Sequence, residues 1–274
     1  MSSFPIGFLA KAYVAVFGRK MFYSWNSMLL LLAARGICVT DPMADAIGPS
    51  ENTFLRRWQA ISPLTVFDIG ANVGVYSGFL KQLCPQAQIW AFEPHPETFK
   101  RLSVEAAKSG FVAIPAGLSD KKGGGRLYDY ASGPGSPHAS LYREVIEGIH
   151  HSDAIAFEVD ITTIDDLLSS GPPVTLNLLK VDAEGHELAI LKGASKSIAE
   201  GKIDVIQFEF NEMNVVSRVF LRDFYDALPR FSFYRMVIDG LAPLGKYRAR
   251  THELFFSHNI VAIRDNVAYA SKLL

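Results

Sequence analysis

Short runs of apolar residues alternate with amphipathic stretches over most of this chain. The runs are rich in β-branched and aromatic residues, as expected of strands buried on both faces of a sheet. Because stretches with one apolar helical face lie between most of them, the pattern predicts a mostly parallel, doubly wound α/β sheet. The last two runs have no predicted helix between them, which indicates antiparallel edge strands. The predicted strands are 65–69, 88–92, 111–116, 176–181, 205–210, 233–238 and 260–263.

The same pattern predicts a helical extension, residues 1–62, followed by an α/β domain, residues 63–274. Within the domain, residues 121–158 have a different composition, with clusters of glycine, proline and lysine that are typical of turns. Stretches 127–130 and 155–159 are expected to pair as two strands of an arm. We expect this arm to lie on the substrate side of the domain, because binding specificity is commonly carried by surface loops.

Residues 4–17 are apolar, with Lys11 inside the run and Arg19-Lys20 after it. The run is too short for a transmembrane helix, so no integral membrane span is predicted. A secretory signal peptide would have its charges before the apolar run rather than within and after it. Two interpretations remain: a helix that packs on the domain, or a helix with weak affinity for a membrane surface.

Composition and charge narrow the class of protein. Hydrophobic residues make up 49% of the 274 residues and aromatic residues 12%, which is enough for a large core. The net charge of −1 and the scattered basic residues predict no nucleic-acid partner. Cys38 and Cys84 lie far apart in apolar surroundings, which favours free thiols in a reducing compartment. We therefore expect a cytoplasmic protein, whose oligomeric state the sequence does not predict.

The strongest chemical signal is the turn after the first predicted strand. Asp68 precedes Gly70, Gly74 leads into a helix, and Glu93 follows the next strand. In nucleotide-binding α/β folds, an acidic residue about 20 positions after such a glycine turn binds the ribose hydroxyls. Dinucleotide folds have a glycine where this chain has Asn72, and Asp68 would repel a pyrophosphate. An adenosine with a sulfonium and no phosphate fits better, so S-adenosyl-L-methionine is the expected cofactor; a strand–turn–helix without a ligand is the alternative.

Polar residues also follow the other predicted strands, at the edge where ligands bind in open α/β sheets. After the third strand, Leu118 is expected to cover the adenine ring. Ser119 or Asp120 is then expected to accept a hydrogen bond from the adenine amino group. A plain exit from the strand is the alternative.

Residues at the ends of the fourth and fifth predicted core strands, or in the loops that follow, are candidates for the reaction itself. His186 is a candidate general base, because its ordinary pKa of about 6.5 suits the deprotonation of an acceptor hydroxyl. Asp182, also a candidate cofactor residue, or Glu209 would orient His186 or bind substrate hydroxyls. Asp182, Glu184 and Glu209 are oxygen ligands of the kind that divalent metals prefer, but no spacing requires a metal and none is predicted.

These motifs resemble the FkbM family of S-adenosylmethionine-dependent methyltransferases from about residue 64 to the C-terminus. The glycine motif is common to many methyltransferases, whereas residues 179–187 with the following LKGA are far more specific. The matching stretches are VFDIGANVG at 66–74, AFEP at 91–94, GLSD at 117–120, VDITTIDDLL at 159–168, LKVDAEGHE at 179–187, LKGA at 191–194, IQFE at 206–209 and NIVA at 259–262.

The resemblance implies a class I, Rossmann-like O-methyltransferase with a seven-stranded sheet. Family members methylate hydroxyls of natural products such as macrolide polyketides and of sugars in glycans. We expect transfer to a hydroxyl of a sugar or glycan precursor. Alternatives are a polyketide-type or other small natural product as acceptor, a nicotinamide-dependent oxidoreductase, and a non-catalytic nucleotide-binding module. The residues that match the family's cofactor motif and its second motif are Asp68, Gly70, Asn72 and Glu93, and Asp182, Glu184 and His186, respectively.

Overall fold

The computed structural model describes residues 6–39, 47–133, 135–169 and 175–274. By their internal contacts the residues up to Ile37 form one compact unit, and Cys38–Leu274 form a second. The domain boundary predicted near residue 62 stays a prediction.

In the larger unit, the described residues form a main sheet of eight strands in the order β10-β9-β11-β8-β7-β1-β2-β3, and a smaller sheet in the order β4-β6-β5. In the main sheet, the adjacent strands β8, β7, β1, β2 and β3 are parallel to one another. The strands are β1 (Thr65–Ile69), β2 (Gln88–Phe92), β3 (Val112–Ile114), β4 (Gly117–Leu118), β5 (Gly123–Tyr130), β6 (Ala154–Thr162), β7 (Leu176–Val181), β8 (Ile203–Phe210), β9 (Phe231–Val237), β10 (Gly240–Pro243) and β11 (His258–Arg264).

The predicted fold class is confirmed, with two differences at one end of the sheet. The described part of the main sheet has eight strands rather than seven, because the short strand β10 extends the edge next to β9. The late strands are antiparallel as predicted, but β11 is not at the edge. It lies between β8 and β9 and pairs with both.

Helices of the larger unit cover both faces of the main sheet. Consecutive residues of β1 point to opposite faces, so Val66 and Phe67 belong to different buried apolar clusters. The helices are α1 (Ile6–Phe17), α2 (Tyr23–Ile37), α3 (Pro49–Arg57), α4 (Val75–Leu83), α5 (Pro96–Ser109), α6 (Ile164–Ser169), α7 (Glu187–Lys192), α8 (Ser195–Ala199), α9 (Met213–Ser217), α10 (Leu221–Ala227), α11 (Ala249–His252) and α12 (Ala270–Leu273).

The predicted arm is built on the smaller sheet. β5 and β6 pair antiparallel with Leu127 opposite Phe157, close to the predicted pairing. A buried contact holds the end of β5 to the start of α5, where His95 Nε2 lies 3.3 Å from Asp129 Oδ2. His95 Nδ1 accepts hydrogen bonds from backbone N–H groups of α5, so the proton of the neutral ring is on Nε2, the nitrogen that lies next to Asp129.

The first unit consists of α1 and α2, joined by residues 18–22. Phe17 contacts Trp25 at a ring-centroid distance of 5.2 Å, and Asn26 Nδ2 donates to the Phe17 carbonyl at 2.9 Å. Over the stretches that the structure describes, no helix combines the length and the apolar character that crossing a bilayer requires.

Candidate active site

The site begins where the carboxyl ends of β1 and β7 meet. Gly70 has a φ of +71°, and a Cβ atom at this position would lie 1.7 Å from the Asp182 carbonyl oxygen. The backbone N–H of Asp182 donates to the Ile69 carbonyl at 3.1 Å. A glycine is therefore required for the two strand ends to approach this closely, and the predicted cofactor turn adjoins the predicted reacting segment.

Asp68 is fully buried at the end of β1. Its Oδ2 accepts a hydrogen bond from Ser77 Oγ at 2.7 Å, and its Oδ1 lies 3.5 Å from Lys180 Nζ. Lys180 Nζ also lies 3.2 Å from Asp182 Oδ2. Burial alone lowers the pKa of Lys180, but the carboxylates of Asp182 and Asp68 outweigh it and hold the pKa above its ordinary value. Lys180 is therefore a charged partner for both carboxylates.

Two buried acceptor atoms at this turn make no hydrogen bond within the described residues: Asp68 Oδ1 and Asn72 Oδ1. Asp68 Oδ1 has only the ion pair with Lys180. Buried acceptors that lack a hydrogen bond are costly, and they favour a ligand that brings donors or positive charge. Gly74, with a φ of +87°, starts α4 directly after them. The turn therefore fits the ammonium and sulfonium groups expected of the cofactor.

Glu93 is buried at the end of β2 and spans two loops. Its Oε1 accepts the backbone N–H of His95 at 2.8 Å, and its Oε2 accepts that of Asn72 at 3.0 Å. Burial raises the pKa of Glu93 to about 7, although these two hydrogen bonds oppose the shift. Each carboxylate oxygen keeps a further lone pair, which is what a ribose diol would need.

The residues predicted to face the adenine ring are placed differently from one another. Leu118 is only 2% exposed and packs in the core of the domain. Asp120 is exposed, and its Oδ1 accepts a hydrogen bond from Ser119 Oγ at 3.1 Å. A role for these residues at the adenine stays a prediction.

His186 is held between two hydroxyl groups. Its Nε2 lies 2.9 Å from Ser119 Oγ, and its Nδ1 lies 3.0 Å from the Tyr142 hydroxyl. Burial lowers the pKa of His186 to about 4, with a small opposing effect of Asp120. The neutral ring has one N–H, so it donates to one hydroxyl and accepts from the other. The arm thus contributes Tyr142 directly to the predicted catalytic residue.

The loop between β7 and α7 is shaped by Glu187. Its Oε1 accepts the backbone N–H groups of Ala183 at 2.9 Å and Gly185 at 3.1 Å. At the other end of α7, a Cβ on Gly193 would lie 2.0 Å from the Ser119 carbonyl oxygen. The glycine of the LKGA motif therefore lets Ser119 pass close to α7.

Three carboxylates converge beside this loop. Oxygens of Asp182, Glu184 and Glu209 all lie within 4.8 Å of one another. Burial, together with the negative charge of Asp182, raises the pKa of both Glu184 and Glu209 well above the ordinary value. Glu209 accepts hydrogen bonds from Asn211 and Ser257. Such a cluster favours a positively charged group.

An open groove of about 360 Å³ begins at Ser119 and runs along the arm. Lys121, Lys122, Arg126 and Tyr128 are among its lining residues. Arg126 is paired with Glu158 at 2.9 Å, whereas neither lysine makes an ion pair with the part of the chain that the structure describes. The groove therefore has a net positive charge and opens next to the hydroxyl that contacts His186.

Several residues of this site were not assigned a role from the sequence. Lys180 lies inside an apolar strand, and a charged residue there requires a buried partner, which is a signal that the sequence does contain. Gln207 is a similar case in β8: it accepts a hydrogen bond from the Tyr76 hydroxyl at 2.7 Å and donates to Glu51 at 2.9 Å. From the sequence, Tyr142 is expected, with Tyr128 and Tyr130, only to stack on or cover the acceptor, and its contact with His186 is what distinguishes it from the other two.

Comparison with known proteins identifies the family. A family model described as the methyltransferase FkbM domain matches residues 68–233, more than half of the chain. The matched region begins at Asp68 and includes the arm, the Asp182–His186 loop and β8. The resemblance predicted from the motifs is therefore confirmed.

Curated relatives match part of the chain. The methyltransferase sdnD of Sordaria araneosa is 33% identical over 156 residues, which cover 48% of this chain and 60% of that protein. The hexuronic acid methyltransferase AglP of Haloferax volcanii is 30% identical over 145 residues, which cover 52% of this chain and 54% of that protein. The chain thus spans between about half and three-fifths of these relatives.

Solved structures are more distant. An O-methyltransferase from Bacillus cereus, solved in complex with SAH, is 11% identical with a TM-score of 0.42, covering 93% of this chain and 96% of that one. A precorrin-6y C5,15-methyltransferase from Geobacter metallireducens is 14% identical with a TM-score of 0.44, covering 83% and 94%. Likeness at this level is too low to carry over the chemistry of either protein.

Proposed function

Because this chain belongs to the FkbM methyltransferase family, we propose that it transfers a methyl group from S-adenosyl-L-methionine to an oxygen atom of a sugar or glycan precursor. The observation that carries this proposal is the direct contact of two predicted segments. The cofactor turn at Gly70 adjoins the backbone of Asp182, four residues before His186. A methyl donor in the turn would therefore face the polar groups of the second segment.

The residues at the turn suit this cofactor. Asp68 Oδ1 and Asn72 Oδ1 are buried acceptors that receive no hydrogen bond from the described residues, which favours the ammonium group of the cofactor. Glu93 would accept the ribose hydroxyls, and the N-terminus of α4 would receive the carboxylate. When bound, S-adenosyl-L-methionine supplies an electrophilic methyl group on a sulfonium. The chain's own contribution is to bind, align and exclude water.

The acceptor side is built from Ser119, His186 and Tyr142. A neutral imidazole between two hydroxyls can take up a proton from one side and release one on the other. An acceptor hydroxyl that replaces Ser119 or Tyr142 as the partner of His186 would lose its proton to this ring. The low pKa of His186 makes the ring a weak base, so positioning is expected to contribute more than proton removal.

The groove favours an acidic sugar as the acceptor. Lys121 and Lys122 line the groove and are available for an anionic group. The Haloferax relative is named a hexuronic acid methyltransferase, and a uronic acid has such a group. A carboxylate oxygen is also a second candidate for the methylated atom. The burial of His186 between Ser119 and Tyr142 favours this candidate: burial lowers the pKa of the ring and weakens it as a base, whereas a carboxylate is already ionised and needs no base.

The test is an acceptor screen with neutral sugars, uronic acids and sugar phosphates, read by mass spectrometry. We expect methylated acidic sugars, and a methyl ether that survives mild alkali if a hydroxyl is the acceptor. A product that alkali hydrolyses would instead identify the carboxylate.

Lys121→Gln with Lys122→Gln should raise KM for acidic acceptors. The control Lys100→Gln with Lys108→Gln removes the same charge from exposed positions of α5 and should not. Methylation of neutral sugars alone would refute the acidic acceptor.

A further inference from the structure

The N-terminal segment, residues 6–37, exposes an unusual amount of apolar surface. Phe8 is 76% exposed, Val14 63% and Leu30 67%. Other large apolar side chains of the segment are exposed as well, including Leu9 of α1, Met21 of the turn and Leu32 of α2. Helices that are apolar on all sides are normally buried in a core or in a membrane, and apolar patches of this kind mark interaction sites.

The two helices do not cover each other along their length. The contacts between α1 and α2 lie close to the turn that joins them, residues 18–22. There Phe17 contacts Trp25, and the Tyr13 hydroxyl donates a hydrogen bond to Asn26. The apolar residues farther from the turn, such as Phe8 and Leu32, remain exposed. A partner that covers this segment must therefore accept apolar side chains from two short helices.

The charge of the segment indicates which partner. It contains Lys11, Arg19, Lys20 and Arg35 and no acidic residue, so its charge is +4, whereas the whole chain has −1. The remainder of the chain therefore carries −5. A second copy of the segment would bring like charges together, which disfavours self-association through this surface. An anionic surface with an apolar interior is complementary to both properties.

The lengths of the helices fit an interfacial position. α1 has 12 residues and α2 has 15, or about 18 and 22 Å at 1.5 Å per residue, against a hydrocarbon core of about 30 Å. Tyr13, Tyr23 and Trp25 are exposed, and tyrosine and tryptophan side chains favour the boundary between headgroups and acyl chains. We propose that the N-terminal segment binds the surface of a membrane that contains anionic phospholipids, with its apolar side chains among the acyl chains and its basic side chains at the headgroups.

The test is co-sedimentation of the full chain with vesicles of phosphatidylcholine alone or with added phosphatidylglycerol. We expect tighter binding to the anionic vesicles and weaker binding as salt increases. Arg19→Gln with Lys20→Gln should lower the partition coefficient by about fivefold per charge. The control Lys100→Gln with Lys108→Gln changes the net charge equally but lies outside the segment, and it should leave the partition coefficient unchanged.

A second variant tests the apolar contribution. Leu30→Gln with Leu32→Gln keeps good helix formers at both positions and should lower binding by roughly tenfold or more per side chain. Equal binding to both kinds of vesicle, or no binding to either at low salt, would overturn the proposal. It would also be overturned if the chain formed an oligomer that Leu30→Gln with Leu32→Gln dissociated while vesicles were not bound. None of these readouts depends on methyl transfer.

Discussion

Replacing Glu93 with glutamine tests the cofactor site most sharply. The carboxylate accepts two backbone N–H groups at 2.8 and 3.0 Å and has lone pairs left for two ribose hydroxyls. Glutamine has nearly the same shape but only one acceptor oxygen, and it cannot ionise. Hydrogen bonds to a charged group contribute about 1.5–3 kcal/mol, so Glu93→Gln should weaken S-adenosylhomocysteine binding by roughly 10- to 150-fold.

The pH dependence gives this prediction a second readout. The pKa of Glu93 is raised to about 7 in the folded protein, and only the ionised form can accept all four donors. Ligand binding therefore favours loss of this proton, and affinity should rise with pH until about 7 and then level off. At pH 5.5 the affinity should be about thirtyfold below its plateau. In Glu93→Gln this part of the pH dependence should disappear.

The free energy of unfolding should decrease as pH rises, whereas the affinity for the ligand increases. Because the folded pKa of Glu93 is raised from 4.5 to about 7, its stabilising contribution is complete below the unfolded pKa and is lost as pH rises through 7. The loss is on the order of 3 kcal/mol at pH 8. Glu93→Gln should therefore be less sensitive to this rise in pH than the wild type.

Titration calorimetry with S-adenosylhomocysteine from pH 5.5 to 8.5 measures the affinity, and thermal unfolding measures the stability. Other titrating groups of the site, including Glu187, contribute the same pH dependence to the wild type and to Glu93→Gln. Their contributions therefore cancel when the two proteins are compared. Glu97→Gln is the matched control, since this glutamate is exposed on α5 and pairs with Lys100. Unchanged affinity and an unchanged pH profile in Glu93→Gln would show that Glu93 does not bind the ribose.

Three further predictions concern the acceptor side and the buried charges. His186→Ala should lower turnover by about a hundredfold while cofactor affinity stays nearly constant, and unchanged turnover from pH 5 to 9 would exclude His186 from the transfer. Lys180→Met leaves Asp68 and Asp182 without their buried cation. The free energy of unfolding should therefore fall by about 3–5 kcal/mol and the Tm by roughly 6–20 °C. An unchanged Tm would contradict the ion pairs. Glu209→Gln removes one of three carboxylates that repel one another. The Tm of this variant minus the Tm of the wild type should therefore increase from pH 6 to pH 8. A Tm difference that does not depend on pH would contradict the raised pKa of Glu209.

The parallel part of the sheet could be predicted because its strands are buried on both faces and separated by helices, which leaves a local pattern in the sequence. The order of the strands at the antiparallel end of the sheet could not be predicted. β11 inserts between β8 and β9 through pairing across long stretches of chain, and β10 is a short strand whose residues resemble a turn. Periodicity specifies that a strand exists but not which neighbour it takes.

The candidate site was predictable where a polar residue lies at the end of a strand or in the loop after it, as for Asp68, Glu93 and His186. It was not predictable where the chemistry depends on a distant partner. Ser119 reaches His186 across 67 positions of the chain, and Lys180 lies beside Asp68 only because β1 and β7 are neighbours. The lowered pKa of His186 likewise follows from burial, which strand-end positions do not reveal.

The most direct test of the proposed function is the transfer of an isotope-labelled methyl group. The protein is incubated with methyl-labelled S-adenosyl-L-methionine and a mixture of acidic and neutral sugars, and the products are identified by mass spectrometry. We predict a labelled methyl group on an oxygen of an acidic sugar, and a strong reduction of this product in His186→Ala. Label found on nitrogen or carbon atoms only, or no label transferred although the cofactor binds, would contradict the proposed function.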